Sequence, residues 1–131
     1  MIRKELSIGR WRVVFMFATE AYDEDEQILS IMYDMDASYD TLQRANHIME
    51  SGNLNTGFTY GNRDTRRALV VVGPTDSGRE FINTLVHECY HLAVMIADSI
   101  GVDLRGEAPA YLIGDTATEV VDAICHLGCR E

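Results

Sequence analysis

Residues 77–101 read SGREFINTLVHECYHLAVMIADSIG, and they form the best-defined helical pattern in the chain. Ser77 and Glu80 match a capping box, in which a serine hydroxyl and a glutamate carboxylate bond to free amides at a helix N-terminus. Apolar residues then recur at helical spacing along one stripe, namely Phe81, Leu85, Leu92, Met95 and Ile96. Gly101 is a typical residue for ending a helix. The stretch therefore predicts one long helix with a single buried face.

Alternating apolar and polar residues predict strands before this helix. Residues 2–8 alternate, Gly9 interrupts the pattern, and residues 11–17 form a second alternating row, which indicates a hairpin or a bent strand near Gly9. Residues 53–73 return to strand character, with a turn-rich segment at 61–64 and a run of leucine and β-branched valines at 69–72.

Two further helices are predicted between the strand regions, and one after the long helix. The acidic run 23–26 is followed by apolar residues at helical spacing, and this pattern indicates that the run is a helix N-terminus. The alternative for the run is a cation-binding acidic loop. A second helix is expected within residues 36–51, and a final one over about residues 107–127. The order of strands, two helices, two strands and two helices predicts an α+β domain, with three or four mostly antiparallel strands packed on the 77–101 helix and further helices.

The composition is that of one globular domain over residues 1–131. Apolar residues make up 47% and charged residues 24%, so a single hydrophobic core suffices. The 21 acidic residues outnumber 11 basic ones, and the net charge of −10 argues against nucleic-acid and membrane partners. With no long apolar run, no signal-peptide pattern and three cysteines that suggest no disulfide framework, we expect a cytoplasmic protein. The pair Cys125 and Cys129 is more simply the end of the last helix than a second metal site.

Within the long helix, His87, Glu88 and His91 match the motif H-E-x-x-H. Side chains four positions apart on a helix lie one turn apart on nearly the same face, so both imidazoles can bind one ion. Glu88 lies beside such an ion, where it can accept a proton from water. The motif therefore predicts one Zn²⁺ per chain. The alternative is that both histidines are ordinary polar residues on a half-buried helix.

A catalytic zinc site needs a third protein ligand and leaves one position open. Glu107 is the first choice because it begins the helix that follows the motif helix after a short loop. Asp115, two turns later, is a candidate to accept a hydrogen bond from a ligand histidine, and Glu119 is a further candidate ligand. The alternatives are helix N-terminal capping for Glu107 and surface solvation for Asp115.

The motif His87-Glu88-x-x-His91, followed on the next helix by Glu107, resembles the glutamate-zincin (gluzincin) metallopeptidases. In larger members an aspartate stands four residues after this glutamate, where this chain has Tyr111. More closely, residues 10–129 resemble short proteins from phage and mobile elements of gut Bacteroidetes. The shared stretches are like LNTGFTY at 54–60, FINTLVHE at 81–88 and AYLIGD at 110–115. This resemblance implies a small zincin-like fold and a metal, and it supplies no substrate.

The first functional hypothesis is zinc-dependent hydrolysis of peptide bonds, with a peptide or protein as substrate. Glu88 is then the general base, and Tyr111, or next Tyr60, is the candidate for stabilising the oxyanion. A second hypothesis is a zinc-binding structural or protein-interaction module of a phage or mobile element with little turnover, favoured by the few loops in so short a chain. The intact Glu88 favours the enzyme, and a metal-free α+β binding domain is the third possibility.

Overall fold

Strands and helices alternate in pairs along the chain, in the order that the sequence predicts. The computed structural model describes residues 2–17, 21–50 and 57–128, and their side chains over 3–17, 26–50 and 57–122. The elements are β1 (Ile2–Ile8), β2 (Trp11–Phe17), α1 (Ala21–Asp34), α2 (Tyr39–Glu50), β3 (Gly57–Asn62), β4 (Arg67–Val72), α3 (Gly78–Ser99) and α4 (Glu107–Gly128). The α+β class is confirmed.

The four strands form one mixed sheet in the order β1-β2-β4-β3. The hairpin of β1 and β2 turns at Gly9, whose φ of +58° is a conformation that glycine adopts without steric strain. β3 and β4 are also antiparallel, with Thr59 opposite Val70. β2 and β4 run parallel, because α1, α2 and β3 carry the chain back before β4 begins. This central parallel pair makes the sheet mixed, and the other two strand pairs are antiparallel, as the sequence predicts for most of the sheet.

Helices cover both faces of the sheet, so the central strands are buried on both sides. On one face, the apolar side chains of β2 and β4 pack with α3 and α4, as Phe15, Val70 and Leu92 illustrate. On the other face, residues such as Met16 and Val71 pack with α1 and α2. This double burial explains why β4 is a continuous apolar run with no alternation.

The N-terminus of α3 is capped as the sequence predicts, with one difference. The Ser77 hydroxyl accepts a hydrogen bond from the Glu80 amide at 3.1 Å, but the Glu80 carboxylate accepts from the amide of Asp76 and not from that of Ser77. At the other end, Gly101 adopts a φ of +73° just after the helix. The start and the end of the motif helix are therefore both encoded locally.

Some predictions fall on residues that the structure does not describe in full. The side chains of residues 23–25, in the acidic run, and of Cys125 lie outside the described residues, as does Cys129. Among the helices that are described, none combines the length and the apolar character needed to cross a membrane.

Candidate functional site

The two motif histidines lie side by side on the exposed surface of α3. Their Nε2 atoms are 3.2 Å apart, and the two rings meet edge to face, with centroids separated by 4.8 Å. In the absence of an ion, this distance allows a hydrogen bond in which one protonated Nε2 is the donor and the other, unprotonated Nε2 is the acceptor. The four-residue spacing on the helix brings the two nitrogens together, as the sequence predicts.

Glu88 lies between the histidines and the sheet, and its side chain is only 4% exposed. Its neighbour in the sequence, His87, is exposed, because consecutive residues of a helix point about 100° apart. The Glu88 Oε1 atom accepts a hydrogen bond of 3.0 Å from the hydroxyl of Thr59 on β3. The same hydroxyl lies 3.2 Å from the main-chain oxygen of Glu88. The carboxyl group is thus held against the strand that forms the edge of the sheet.

The edge strand β3 approaches α3 closely because it carries glycine where the helix crosses it. Gly61 has no side chain, and a Cβ atom at this position would overlap the Met95 thioether of α3. Thr59 and Gly61 point to the α3 face of the sheet, whereas Tyr60 packs against the cluster formed with α1 and α2. The alternation of the strand therefore presents a small residue and a hydroxyl to the motif helix.

The histidines, Glu88 and β3 border one open cleft of about 700 Å³. Its lining consists of Gly57, Phe58, Thr59, His87, Glu88, His91, Val94, Met95, Asp98 and Leu104. The wall beyond His91 is largely apolar up to Asp98, whose carboxylate forms an exposed ion pair of 3.3 Å with Arg63. The cleft thus combines two imidazoles and a carboxyl group with an apolar wall.

The geometry of the two imidazoles fits a zinc ion. Zinc binds histidine nitrogen at about 2.0–2.1 Å in tetrahedral geometry, which places two ligand nitrogens roughly 3.3 Å apart. The observed separation of 3.2 Å between the Nε2 atoms of His87 and His91 is close to this value. The spacing of the two nitrogens is therefore compatible with their binding one ion.

No described side chain joins this pair as a third ligand. Among the residues whose side chains are described, no group of three or more His, Cys, Asp or Glu is placed to hold one metal ion. Glu107 is exposed at the first turn of α4, and Asp115 and Glu119 are exposed further along the same helix. The roles of Glu107 and Asp115 stay predictions.

Neither tyrosine that the sequence suggested for the oxyanion lines the cleft. Tyr111 lies on α4 with 68% of its surface exposed. Tyr60 faces the opposite side of the sheet, and its pKa is raised chiefly by burial. The Asp36 charge also raises it, and a hydrogen bond with Asn62 acts in the opposite direction. In this arrangement, the oxyanion role has no assigned side chain.

Cys89, the residue after Glu88, belongs to the core. Its side chain is fully buried against the sheet, and burial, with a smaller effect from the Glu88 carboxyl group, raises the thiol pKa to about 11. The thiol is therefore protonated at neutral pH and is a poor metal ligand.

Thr59, Met95 and Asp98 line the cleft but were not predicted from the sequence to be parts of the site. For Thr59, one sequence feature could have indicated this position, namely a hydroxyl residue flanked by Gly57 and Gly61 at alternate positions of a strand. Its use required knowing that β3 is the strand beside α3, which is a property of the topology.

No protein-family model matches the sequence, and no curated protein or solved structure is significantly similar to it. The resemblance to glutamate zincins therefore stays a prediction, and the function is inferred from the geometry of the cleft.

Proposed function

We propose that this chain is a zinc-dependent hydrolase of peptide bonds. The observation that carries the proposal is the pair of Nε2 atoms of His87 and His91, 3.2 Å apart, with the Glu88 carboxyl group beside them in one cleft. The pair supplies ligands at the separation that zinc requires, and Glu88 supplies a proton acceptor that is not needed for a purely structural ion.

Each side chain has a distinct role in this proposal. His87 and His91 hold the ion through their Nε2 atoms. A bound zinc ion would polarise the scissile carbonyl and make water a stronger acid. Glu88 accepts a proton from the attacking water and then delivers it to the amine that leaves, so that it ends the reaction in its initial state. The water oxygen forms the new bond to the carbonyl carbon, and the bond from that carbon to nitrogen breaks.

We also propose Glu107 as the third ligand. Leu104, in the loop between α3 and α4, already lines the cleft, and Glu107 follows it by three residues. The carboxylate of Glu107 is exposed, so it loses no other buried contact when it turns to the imidazoles. A catalytic site with two histidines and one glutamate leaves a fourth position for water or substrate.

An extended peptide is the substrate that suits the cleft. β3 stands at the end of the strand order, and no described strand pairs with its outer edge. An extended chain can add to such an edge through main-chain hydrogen bonds, with little dependence on its sequence. Thr59 and Phe58 of this strand line the cleft together with the histidines, so a peptide paired with β3 passes beside them.

The first experiment measures zinc content and cleavage of a quenched fluorescent peptide library, with a chelator control. Wild type should hold about one zinc per chain. H87A should lose zinc and turnover, whereas H47A, which removes an exposed histidine on α2, should lose neither. E88Q should keep zinc and lose about 10²–10⁴-fold in kcat. Full turnover in E88Q would refute the general-base role.

The third ligand is tested by the zinc affinity of E107A. We expect binding at least about 10-fold weaker than in wild type, since a ligand is lost. D122A, which removes another exposed carboxylate of α4, is the matched control and should bind zinc as wild type does. Unchanged affinity in E107A would assign the third position elsewhere, with Asp115 and Glu119 as the next residues to replace.

A zinc-binding module without turnover is the second candidate. It is favoured by the absence, among described side chains, of a complete group of three ligands. In that case, zinc should raise the thermal midpoint, and neither wild type nor E88Q should cleave any library peptide. A module also predicts no difference in zinc-dependent stability between wild type and E88Q.

A further inference from the structure

We infer that Thr59 is the residue that positions the Glu88 carboxyl group for proton transfer. This inference rests on the proposed function, because it concerns the general base of the same site. Thr59 itself exchanges no proton with the substrate. Its role is to hold Glu88 through a hydrogen bond from the edge strand.

The Thr59 hydroxyl contacts Glu88 at two of its oxygen atoms. The Thr59 hydroxyl lies 3.0 Å from the Glu88 carboxyl oxygen and 3.2 Å from the main-chain oxygen of Glu88. Both acceptors belong to Glu88, so the shared hydrogen bond holds the end of the side chain close to its own backbone. A glutamate side chain has several rotatable bonds and otherwise loses much conformational freedom on adopting one position.

Thr59 is itself held rigidly in the sheet. Its β-branched side chain has few allowed rotamers, and its backbone is paired with Val70 in the sheet. The adjacent glycine on the same face, Gly61, lets α3 approach until the Met95 side chain rests on the strand. Thr59 therefore transmits the fixed position of the sheet to the carboxyl group.

A mobile general base would slow the proposed reaction. A proton acceptor works within about 2.6–3.2 Å of the group that gives the proton, and a displacement of about 1 Å can lower a rate roughly 100-fold. Glu88 lies beside the histidines but bonds to neither in the structure, where its described side-chain partner is Thr59. Loss of the hydroxyl should therefore affect the rate of the chemical step more than the binding of zinc or peptide.

The test compares two substitutions that remove different parts of the threonine. T59V keeps the shape and removes the hydroxyl, whereas T59S keeps the hydroxyl and removes the methyl group. We expect T59V to lower kcat about 10–100-fold with KM and zinc content unchanged, and T59S to recover most of that loss. T118V, which removes an exposed hydroxyl on α4, is the matched control and should keep wild-type kcat. A packing role predicts the reverse order, with T59S the more impaired, and would overturn the inference.

A second measurement does not depend on turnover. In crystal structures, the Glu88 carboxyl group of T59S should lie within about 0.5 Å of its position in wild type. In T59V the same group should be displaced or should occupy several conformers. An unmoved carboxyl group in T59V would overturn the inference even if kcat fell. A displaced group in T59V, with no cleavage by any variant or by wild type, would reject the proposed hydrolysis and leave the positioning role supported. Melting curves of each variant establish that it is folded.

Discussion

Replacing Gly61 with alanine tests how closely α3 rests on the edge strand. The new Cβ would overlap the Met95 sulfur and lie 3.1 Å from its terminal methyl carbon. Overpacking by one carbon costs about 1–3 kcal/mol, and the flexible end of methionine places the cost near the lower limit. The lower entropy of the unfolded alanine chain returns about 0.4–1 kcal/mol. The free energy of unfolding should therefore fall by at most about 0.5 kcal/mol, or roughly 2 °C in the thermal midpoint of a domain this size.

Urea unfolding of a double-mutant cycle isolates this contact. With Met95 already replaced by alanine, the overlap is gone, and G61A should be neutral or stabilising by about 0.5 kcal/mol. G114A is the matched control, because a Cβ at this exposed position of α4 meets nothing within 4 Å. It should raise stability by about 0.5–1 kcal/mol through helix propensity. An equal loss from G61A in both backgrounds would refute the close approach of α3 to β3.

Other parts of the fold give predictions that are simpler to test. S77A removes the side-chain oxygen that accepts a hydrogen bond from the Glu80 amide, and it should lower the free energy of unfolding by about 1 kcal/mol in urea titrations. S77D provides a carboxylate acceptor and should retain most of the wild-type stability. With the other two cysteines replaced by serine, the Cys89 thiol should react with Ellman's reagent at pH 8 at least about 100-fold more slowly in the folded than in the unfolded chain, because burial raises its pKa from 9.0 to about 11. Because the folded chain holds the thiol proton more tightly than the unfolded chain does, the resulting stabilisation is complete below pH 9 and should be lost between pH 9 and about 11. Urea unfolding of wild type and C89A across this pH range measures the loss. The ion pair of Arg63 and Asp98 is more than half exposed, so R63A should change stability by less than about 0.5 kcal/mol, and a larger, salt-insensitive loss would contradict this.

The parts of the structure that the sequence predicted are those that depend on neighbours along the chain. Short-range contacts define three of these features: the caps of α3, the turn of the hairpin at Gly9 and the pairing of His87 with His91. Each involves residues at most four positions apart in the sequence. The order of the elements follows from the same local patterns. Such signals are strong because turn conformation and helix geometry act over one or two turns of chain.

The parts that the sequence did not predict depend on which elements become neighbours. The parallel pairing of β2 and β4 is set by the crossing of α1, α2 and β3, and no local pattern specifies it. The contact of Thr59 with Glu88 joins residues 29 positions apart. Tyr60 was chosen for its residue type, but the alternation of β3 directs it to the face opposite the cleft. A role assigned from residue type alone is therefore least secure in strands, where a shift of one residue places the side chain on the opposite face of the sheet.

The burial of Glu88 is the strongest physical argument that α3 serves chemistry as well as packing. Among described side chains, the buried polar or charged ones are Thr84, Glu88 and Thr116, so Glu88 is the one carboxyl group removed from water. Loss of hydration costs a neutral polar group about 1–3 kcal/mol and a charged group more, whereas one hydrogen bond from a hydroxyl returns about 1 kcal/mol. An apolar residue of similar size would pack there at no such cost. A purely structural helix gains nothing from this carboxyl group, whereas the proposed hydrolysis requires a proton acceptor beside the two histidines.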